Sequence, residues 1–265
     1  MPIRSKMMIE LRRPARPTPR LSIIIATWNA AGTLERCLRS IIEQEFGDWE
    51  LLIADGGSTD STVDLIRRHT GDIAWWQSQR DAGIYDAWNQ ALIHARGEYV
   101  AFLGADDAWE APSTLRRVFE AIGGRQYDLA TGRGILVNNA GISYREFGNP
   151  WNYGKVMRRM TICHPGALHR RDLFQRFGTF DTRYRISADY EFLLRLPPEL
   201  RALHIDMAIT RVADGGISRN RRWLMLRERY RAQANCAHVG RVRAAFNFID
   251  KLWRIPVAKA LGIPN

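Results

Sequence analysis

The chain has 265 residues, 46% hydrophobic and 25% charged, at globular averages and long enough to bury a substantial core. Its three cysteines, Cys37, Cys163 and Cys236, lie far apart without CxxC spacing, and no apolar run approaches the roughly 18 residues of a membrane span; these facts argue against a disulfide scaffold, a zinc site and an integral membrane protein. The formal charge of +11 belongs to the ends, with +5 on residues 1–20, +9 on residues 219–265 and −3 on the body between, which is not the pattern of an enzyme that surrounds its catalytic centre with a nucleic-acid-binding field.

Residues 1–20 mix arginines and prolines without a continuous apolar stretch, so they read as a flexible basic arm rather than a cleaved signal peptide. The cysteine usage points to a reduced cytosol. From Leu21 onward strand and helix patterns alternate, as in a parallel sheet with crossover helices. Leu21–Ala26 (LSIIIA) is a short β-branched run suited to a strand buried on both faces. Leu34, Cys37, Leu38, Ile41 and Ile42 then form one apolar helical stripe. Glu50–Ala54 is the second strand, followed by the turn Asp55-Gly56-Gly57-Ser58-Thr59-Asp60, with capping-box-like spacing at Ser61 and Asp64. Ile73–Gln77 is the third strand, and Ile84, Ala87, Trp88, Ala91, Leu92 and Ala95 make a second helical stripe. The fourth strand, Glu98–Leu103, ends in Gly104-Ala105-Asp106-Asp107.

Beyond Pro112 the pattern becomes mixed α+β. It holds a helix at 113–122, short strands near 127–137 and 142–147, an irregular stretch at 149–160 and a helix from about Asp189. With no repeat, Gly/Ser linker or low-complexity tract, one continuous domain is expected over 21–218, and the tail after Ser218 is read separately.

Three polar clusters fall after the first, second and fourth strands: Thr27-Trp28-Asn29, Asp55 to Asp60, and Asp106-Asp107. A lone acid pair at a strand end is usually a solvated turn. Three clusters at one sheet edge build a common crevice, where open α/β sheets bind ligands.

With these residues the segment from Leu21 to Asp107 resembles the nucleotide-binding half of family 2 glycosyltransferases of the GT-A fold. His164-Pro165-Gly166, Gly178-Thr179-Phe180-Asp181 and Ser187-Ala188-Asp189-Tyr190-Glu191-Phe192 are similar to acceptor-side motifs of the same family, so the resemblance spans about 21–218. The string from Asp81 to Asn89 (DAGIYDAWN) is similar to a subgroup that builds bacterial surface polysaccharides. The resemblance implies a Rossmann-like, mostly parallel sheet with helices on both faces as the nucleotide-sugar half (21–110), and an acceptor half (111–218).

It also implies roles. Asp107 matches the last acid of the family's DxD motif and would hold Mn²⁺ or Mg²⁺ through hard oxygen ligands, neutralising the departing diphosphate. Asp106 would reach the ribose, and Ala105 stands where the first acid of the motif usually falls. Asp55 would accept from the imide nitrogen of a pyrimidine, with Thr27 and Asn29 lining the base and ribose pocket and Gly56 and Gly57 turning the backbone beneath it. The competing reading of Asp55 is a helix cap. Arg80, Asp81 and Asp86 belong to the same nucleotide-sugar set, against an exposed charged loop for Arg80 and Asp81.

Asp189 would be the catalytic base, taking the acceptor hydroxyl's proton opposite the leaving group. Its competing reading is an acid favoured by the helix dipole, and Glu191 is the rival choice of base. His164 would orient the acceptor or a phosphate, against a structural role. The histidine that many relatives place late in the fold as a metal ligand is missing from Arg211 to Ser218, which leaves water and phosphates, or Asp214, to complete the shell.

The tail 219–265 mixes arginines with Trp223, Leu224, Leu226, Tyr230, Phe246, Phe248, Ile249, Leu252 and Trp253. Such a basic amphipathic helix suits an anionic membrane surface; the alternative is a helix packed on the domain. The expected protein is therefore an inverting, metal-dependent glycosyltransferase using a UDP-sugar or related donor and a glycan or lipid-linked acceptor. Its expected location is peripheral, at the inner face of a bacterial cytoplasmic membrane, with nucleic acid disfavoured as a partner. The alternatives are a nucleotidyltransferase, which usually carries a Gly-rich basic loop where this chain has Thr27 to Gly32, and an inactive membrane- or nucleic-acid-binding adaptor on the same fold.

Overall fold

A computed structural model of the chain describes residues 18–138, 140–216 and 221–260, the last nine by backbone alone. Most of the basic arm, together with the side chains of Leu252 and Trp253, lies outside what is described. The elements in order are β1 (Leu21–Thr27), α1 (Leu34–Ile42), β2 (Trp49–Asp55), α2 (Thr62–Arg68), β3 (Trp75–Ser78), α3 (Ile84–Leu92), β4 (Tyr99–Gly104), β5 (Ala108–Trp109), α4 (Thr114–Ile122), β6 (Leu129–Val137), β7 (Ser143–Phe147), α5 (Tyr153–Val156), β8 (Leu168–Arg170), α6 (Asp172–Phe177), α7 (Ala188–Arg195), β9 (Ala202–Ala213), α8 (Arg222–Asn235) and α9 (Gly240–Ala260).

One sheet runs through the molecule in the order β3-β2-β1-β4-β8-β6-β9-β5, with β7 paired to β6. Strands β1 to β4 are mutually parallel, and β8 joins β4 antiparallel. This is the expected parallel half followed by a mixed half.

Every residue of β1 and β2 is buried, because helices cover both faces. Leu21, Ile23 and Ile25 meet Leu34, Cys37, Leu38 and Ile41 of α1 and Leu115, Val118 and Phe119 of α4 on one face. Ile24 and Ala26 face Trp88 and Ala91 of α3 on the other, in a core continuous with Phe102, Phe174, Phe180 and Phe192. Alternate residues of one strand thus supply two cores. Each fully buried large side chain contributes roughly 1.5–3 kcal/mol.

The capping box at Ser61 and Asp64 does not form. Ser61 makes no side-chain cap bond; instead Asp60 accepts from the backbone N–H of Thr62 at 3.0 Å and from its hydroxyl at 2.5 Å. The stretch 149–160 contains the short helix α5, capped by the Asn152 side chain accepting from Lys155 N at 2.9 Å. Strands β5, β8 and β9 and helix α6 are additional to the elements expected from sequence.

The tail is not a separate body at its start. α8 packs against α7, with Leu226 and Ala232 buried. α9 folds back on α8, Phe248 meeting Tyr230 at 5.6 Å between ring centres.

Candidate functional site

The parallel strands end level. Thr27 of β1 pairs in register with Asp55 of β2, Asp55 with Ser78 of β3, and Ala26 with Gly104 of β4. The clusters expected to converge therefore do so at the carboxyl edge. Gly56 N donates to Thr27 O at 2.9 Å, Asn29 N to Ser58 Oγ at 2.8 Å, and Thr59 N to Asn29 Oδ1 at 2.9 Å, stitching the first two loops together. Asn29 takes a left-handed φ of 48°, which asparagine tolerates better than most residues. The Thr27 hydroxyl oxygen is buried and has no partner among the described residues.

Asp55 is almost wholly buried. Its Oδ2 accepts from Gly57 N (3.1 Å), Ser58 N (2.9 Å) and Ser78 Oγ (2.6 Å), and its Oδ1 from Ser58 Oγ (2.5 Å). The carboxylate organises its own loop rather than capping α2, which begins seven residues later. Asp81 closes over this loop: a Cβ on Gly56 would stand 2.8 Å from Asp81 Oδ2 and would push that carboxylate aside. Burial pushes the Asp81 carboxyl above its usual range, and the charges of Asp86 and Asp55 add to the effect. Asp86 accepts from Ala82 N at 2.9 Å, while the Arg80 side chain is exposed.

Asp107 is buried, its Oδ2 accepting from Gly104 N at 3.0 Å and its Oδ1 from Ala213 N at 3.3 Å. Burial, with the neighbouring Asp106 charge, pushes its carboxyl up to about 7. Asp106 is half-buried, and Arg36 of α1 donates to its carbonyl at 2.8 Å. Two adjacent acids, one desolvated and reluctant to ionise, form an all-oxygen donor set that fits a hard divalent cation. Among the described residues no group of three His, Cys, Asp or Glu side chains converges to complete such a site. Asp214 bonds the Tyr144 hydroxyl at 2.5 Å.

Asp189 stands in the first turn of α7, half-buried. Its Oδ1 accepts from Tyr190 N at 2.8 Å and lies 3.0 Å from the Tyr85 hydroxyl, which is also 2.7 Å from Ile186 O. Burial raises the carboxyl's pKa, and the Arg229 charge works against that rise. Tyr85 stands in the first turn of α3, between Asp81 and Asp86, so Asp189 is tied to the loop that follows β3.

Two of the expected residues lie apart. His164 is buried among Trp88, Phe102, Phe180 and His169, with ring centres 5.0 to 6.1 Å away, and burial lowers its pKa to about 3, so it is a neutral member of the aromatic core. Glu191 pairs with Arg195 at 3.0 Å, one turn along α7. Gly166 of the same motif as His164 has a φ of 76°, and a Cβ there would meet Thr210 Cγ2 at 2.4 Å, so the motif serves close packing between β4 and β9. The structure adds Ser78, Tyr85, Arg36 and Arg185 to the neighbourhood. Of these only Tyr85 lies in a motif read from the sequence, the Asp81–Asn89 string; Ser78 is found level with Asp55 only through the pairing of β2 with β3.

Solved structures share this architecture. S. aureus TarS 1–349 in complex with UDP-GlcNAc aligns with a TM-score of 0.66 at 18% identity, over 88% of this chain and 71% of that one. The mannosyltransferase PcManGT from Pyrobaculum calidifontis in complex with GDP-Man and Mn²⁺ aligns with a TM-score of 0.67 at 22% identity, over 96% and 77%. The fold is that of the GT-A glycosyltransferases. The family model for glycosyl transferase family 2 matches residues 22–178. A PGL/p-HBAD biosynthesis glycosyltransferase of Mycobacterium bovis (strain BCG / Pasteur 1173P2) is 38% identical over 181 residues, 67% of this chain and 69% of the relative. The chain belongs to glycosyltransferase family 2.

Proposed function

We propose that this glycosyltransferase is inverting and metal-dependent, moving a sugar from a nucleoside-diphosphate donor, a UDP-sugar by preference, to a hydroxyl of a glycan or lipid-linked acceptor. The observation that carries the reading is the single carboxyl edge on which Thr27, Asp55, Asp106 and Asp107 gather, with Asp189 joined to it through Tyr85. Asp55, Thr27 and Asn29 hold the base and ribose, with Gly56, Arg80, Asp81 and Asp86 around them. Asp106 reaches the ribose, and Asp107 holds Mn²⁺ or Mg²⁺ together with donor phosphates and water. When bound, the ion stabilises the negative charge that grows on the departing diphosphate. Asp189 takes the proton of the attacking hydroxyl, and its raised pKa places it nearer the working range of a general base. The donor half is taken as 21–110 and the acceptor half as 111–218.

Thermal stability against UDP-, dTDP-, GDP- and CMP-sugars, each with and without Mn²⁺, tests this. A saturating donor should stabilise by about 2.7 kcal/mol at a hundredfold excess over its Kd. A Mn²⁺-dependent rise with one nucleotide supports the reading; no rise and no transfer with any donor would favour the inactive adaptor.

We also propose that the outer face of α9 docks on an anionic bilayer at the inner face of a bacterial membrane. Val242, Phe246 and Ile249 recur at helical spacing with exposures of 87%, 73% and 52%. Exposed Arg241, Arg243 and Lys251 flank them, matching anionic headgroups at about 1 kcal/mol per basic residue. No helix among the described residues is long and apolar enough to cross a membrane. Replacing Phe246 and Ile249 together by glutamate should cut sedimentation with phosphatidylglycerol-containing vesicles by roughly tenfold or more. Undiminished binding by that variant would remove the surface.

A further inference from the structure

We infer that Glu228 of α8 is a positioning residue for transfer: it holds the turn at 185–187 that delivers Asp189 to the acceptor. The inference rests on Asp189 being the base. Glu228 is a buried carboxylate, 5% exposed, on a helix that lies outside the segment matched by the family model. Its Oε1 accepts from Arg185 N at 2.7 Å, and its Oε2 from Ile186 N at 2.8 Å and Ser187 N at 3.0 Å. Three successive backbone N–H groups thus converge on one side chain.

The need for it is visible in the sequence of α7. A helix start ordinarily satisfies its free N–H groups with the side chain of the capping residue. Here Ser187 occupies that position and makes no such bond, and its hydroxyl is buried without a partner among the described residues. The carboxylate of Glu228 fixes the approach to α7 from outside and places negative charge at a helix N-terminus, where the dipole favours it. Asp189 follows two residues after the last of the three N–H groups.

The same turn is pinned at other points. Arg185 Nη1 donates to Ala82 O at 2.7 Å, tying it to the loop of Asp81 and Asp86. Tyr85 donates its one hydroxyl proton within the Ile186 O and Asp189 pair. From α8, Arg231 Nη2 donates to Arg183 O at 2.7 Å and its guanidinium lies over the Tyr184 ring, 4.0 Å from the centre. Arg229 lies 5.8 Å from the centre of the Tyr190 ring. Gln233 donates to the Tyr190 hydroxyl at 2.7 Å. α8 therefore contacts Arg183 to Ser187 and Tyr190, and Glu228 is its buried hold on the backbone of that turn.

The test compares Glu228→Gln, Glu228→Ala and Asp189→Asn in the full chain. Donor affinity is measured by calorimetry with Mn²⁺ and the donor selected by the nucleotide panel. Turnover is followed as nucleoside diphosphate release with water and with alkyl glycosides as acceptors. The Glu228 variants should bind donor at full stoichiometry with little change in Kd, while kcat falls about 10- to 100-fold, the penalty of roughly an ångström of misplacement, and less for Gln than for Ala. Normal kcat in Glu228→Ala beside an inactive Asp189→Asn overturns the positioning role and leaves the base in place. Normal kcat in Asp189→Asn overturns the base and the inference with it. Donor-binding sites lost in proportion to kcat, or failure of both Glu228 variants to fold, assigns Glu228 to stability alone and also overturns it.

Discussion

Asp189→Asn is expected to lower kcat by about 10²- to 10⁴-fold, the usual worth of a positioned general base. The amide keeps the shape of the carboxylate and an oxygen able to accept from Tyr85 and Tyr190 N, so folding should survive. Donor affinity should hardly move, because the groups proposed to bind the nucleotide stand on the loops after β1, β2, β3 and β4 and in the first turn of α3, none of them on α7. In the unaltered enzyme, kcat should rise with pH through an apparent pKa above the ordinary carboxylate range, since burial favours the protonated form of Asp189 and only the ionised form accepts a proton. Stopped-turnover assays across pH, run on both proteins, check this: the ionisation should vanish with the substitution. Near-normal turnover of Asp189→Asn would move the base to another group, with Glu191 the first to try despite its pairing with Arg195.

Asp107→Asn should abolish the Mn²⁺ dependence of donor binding and lower transfer by about 10³-fold or more, as the loss of several kcal/mol of charge stabilisation requires. The same substitution should flatten the pH dependence of the metal-free protein's stability, although the amide can accept from only one of Gly104 N and Ala213 N. Between the unfolded value near 4 and the folded value of about 7, the folded state holds a proton on Asp107 that the unfolded state has released. Stability contributed by this site therefore falls as pH rises through that window, and the penalty is complete above it. Asparagine removes this pH-dependent penalty, so without metal the parent should lose melting temperature between pH 4 and pH 8 relative to the variant. For the parent, cation affinity should climb over the same window, because binding displaces that proton. Melting curves at both pH values, with and without Mn²⁺, read both effects; the same change between pH 4 and pH 8 in the two proteins would mean that Asp107 carries no such cost.

Much of the parallel half was legible because its signals are local. β1, β2, β4, α1 and α3 each declare themselves within a few residues, through β-branched runs or apolar stripes. Their common edge followed from parallel pairing, so Asp55, Asp106 and Asp107 could be grouped before any coordinates. β5, β8 and β9 were not legible, because their partners lie far away in the chain and their own patterns are mixed. β9 carries His204, Asp206 and Arg211 among its apolar residues and is a strand because β6 runs beside it. The capping box at Ser61 failed for a simple reason: Asp60 reaches Thr62 first. His164 looked chemical as a polar residue before Pro165, yet the aromatic residues that enclose it come from β4, α3 and the 178–181 loop. Tyr85 lies inside the Asp81–Asn89 string, which carries no hint of its bond to Asp189, and Arg185 and Glu228 had no local signature at all, since each acts on an element about 40 to 100 residues away in sequence, where periodicity is silent.

The grip of α8 on the turn before α7 bears on how such enzymes can be recombined. A chain ended at residue 218 keeps every carboxylate assigned to chemistry and loses Glu228, Arg229, Arg231 and Gln233 together. Grafting another protein's C-terminal helices onto this body to redirect it to a different surface would therefore also exchange the groups that hold the turn before Asp189. The unit that can be transplanted intact runs from the start of β1 through the α8–α9 hairpin, so inherited changes in the helical end and in the 183–190 stretch should travel as a pair.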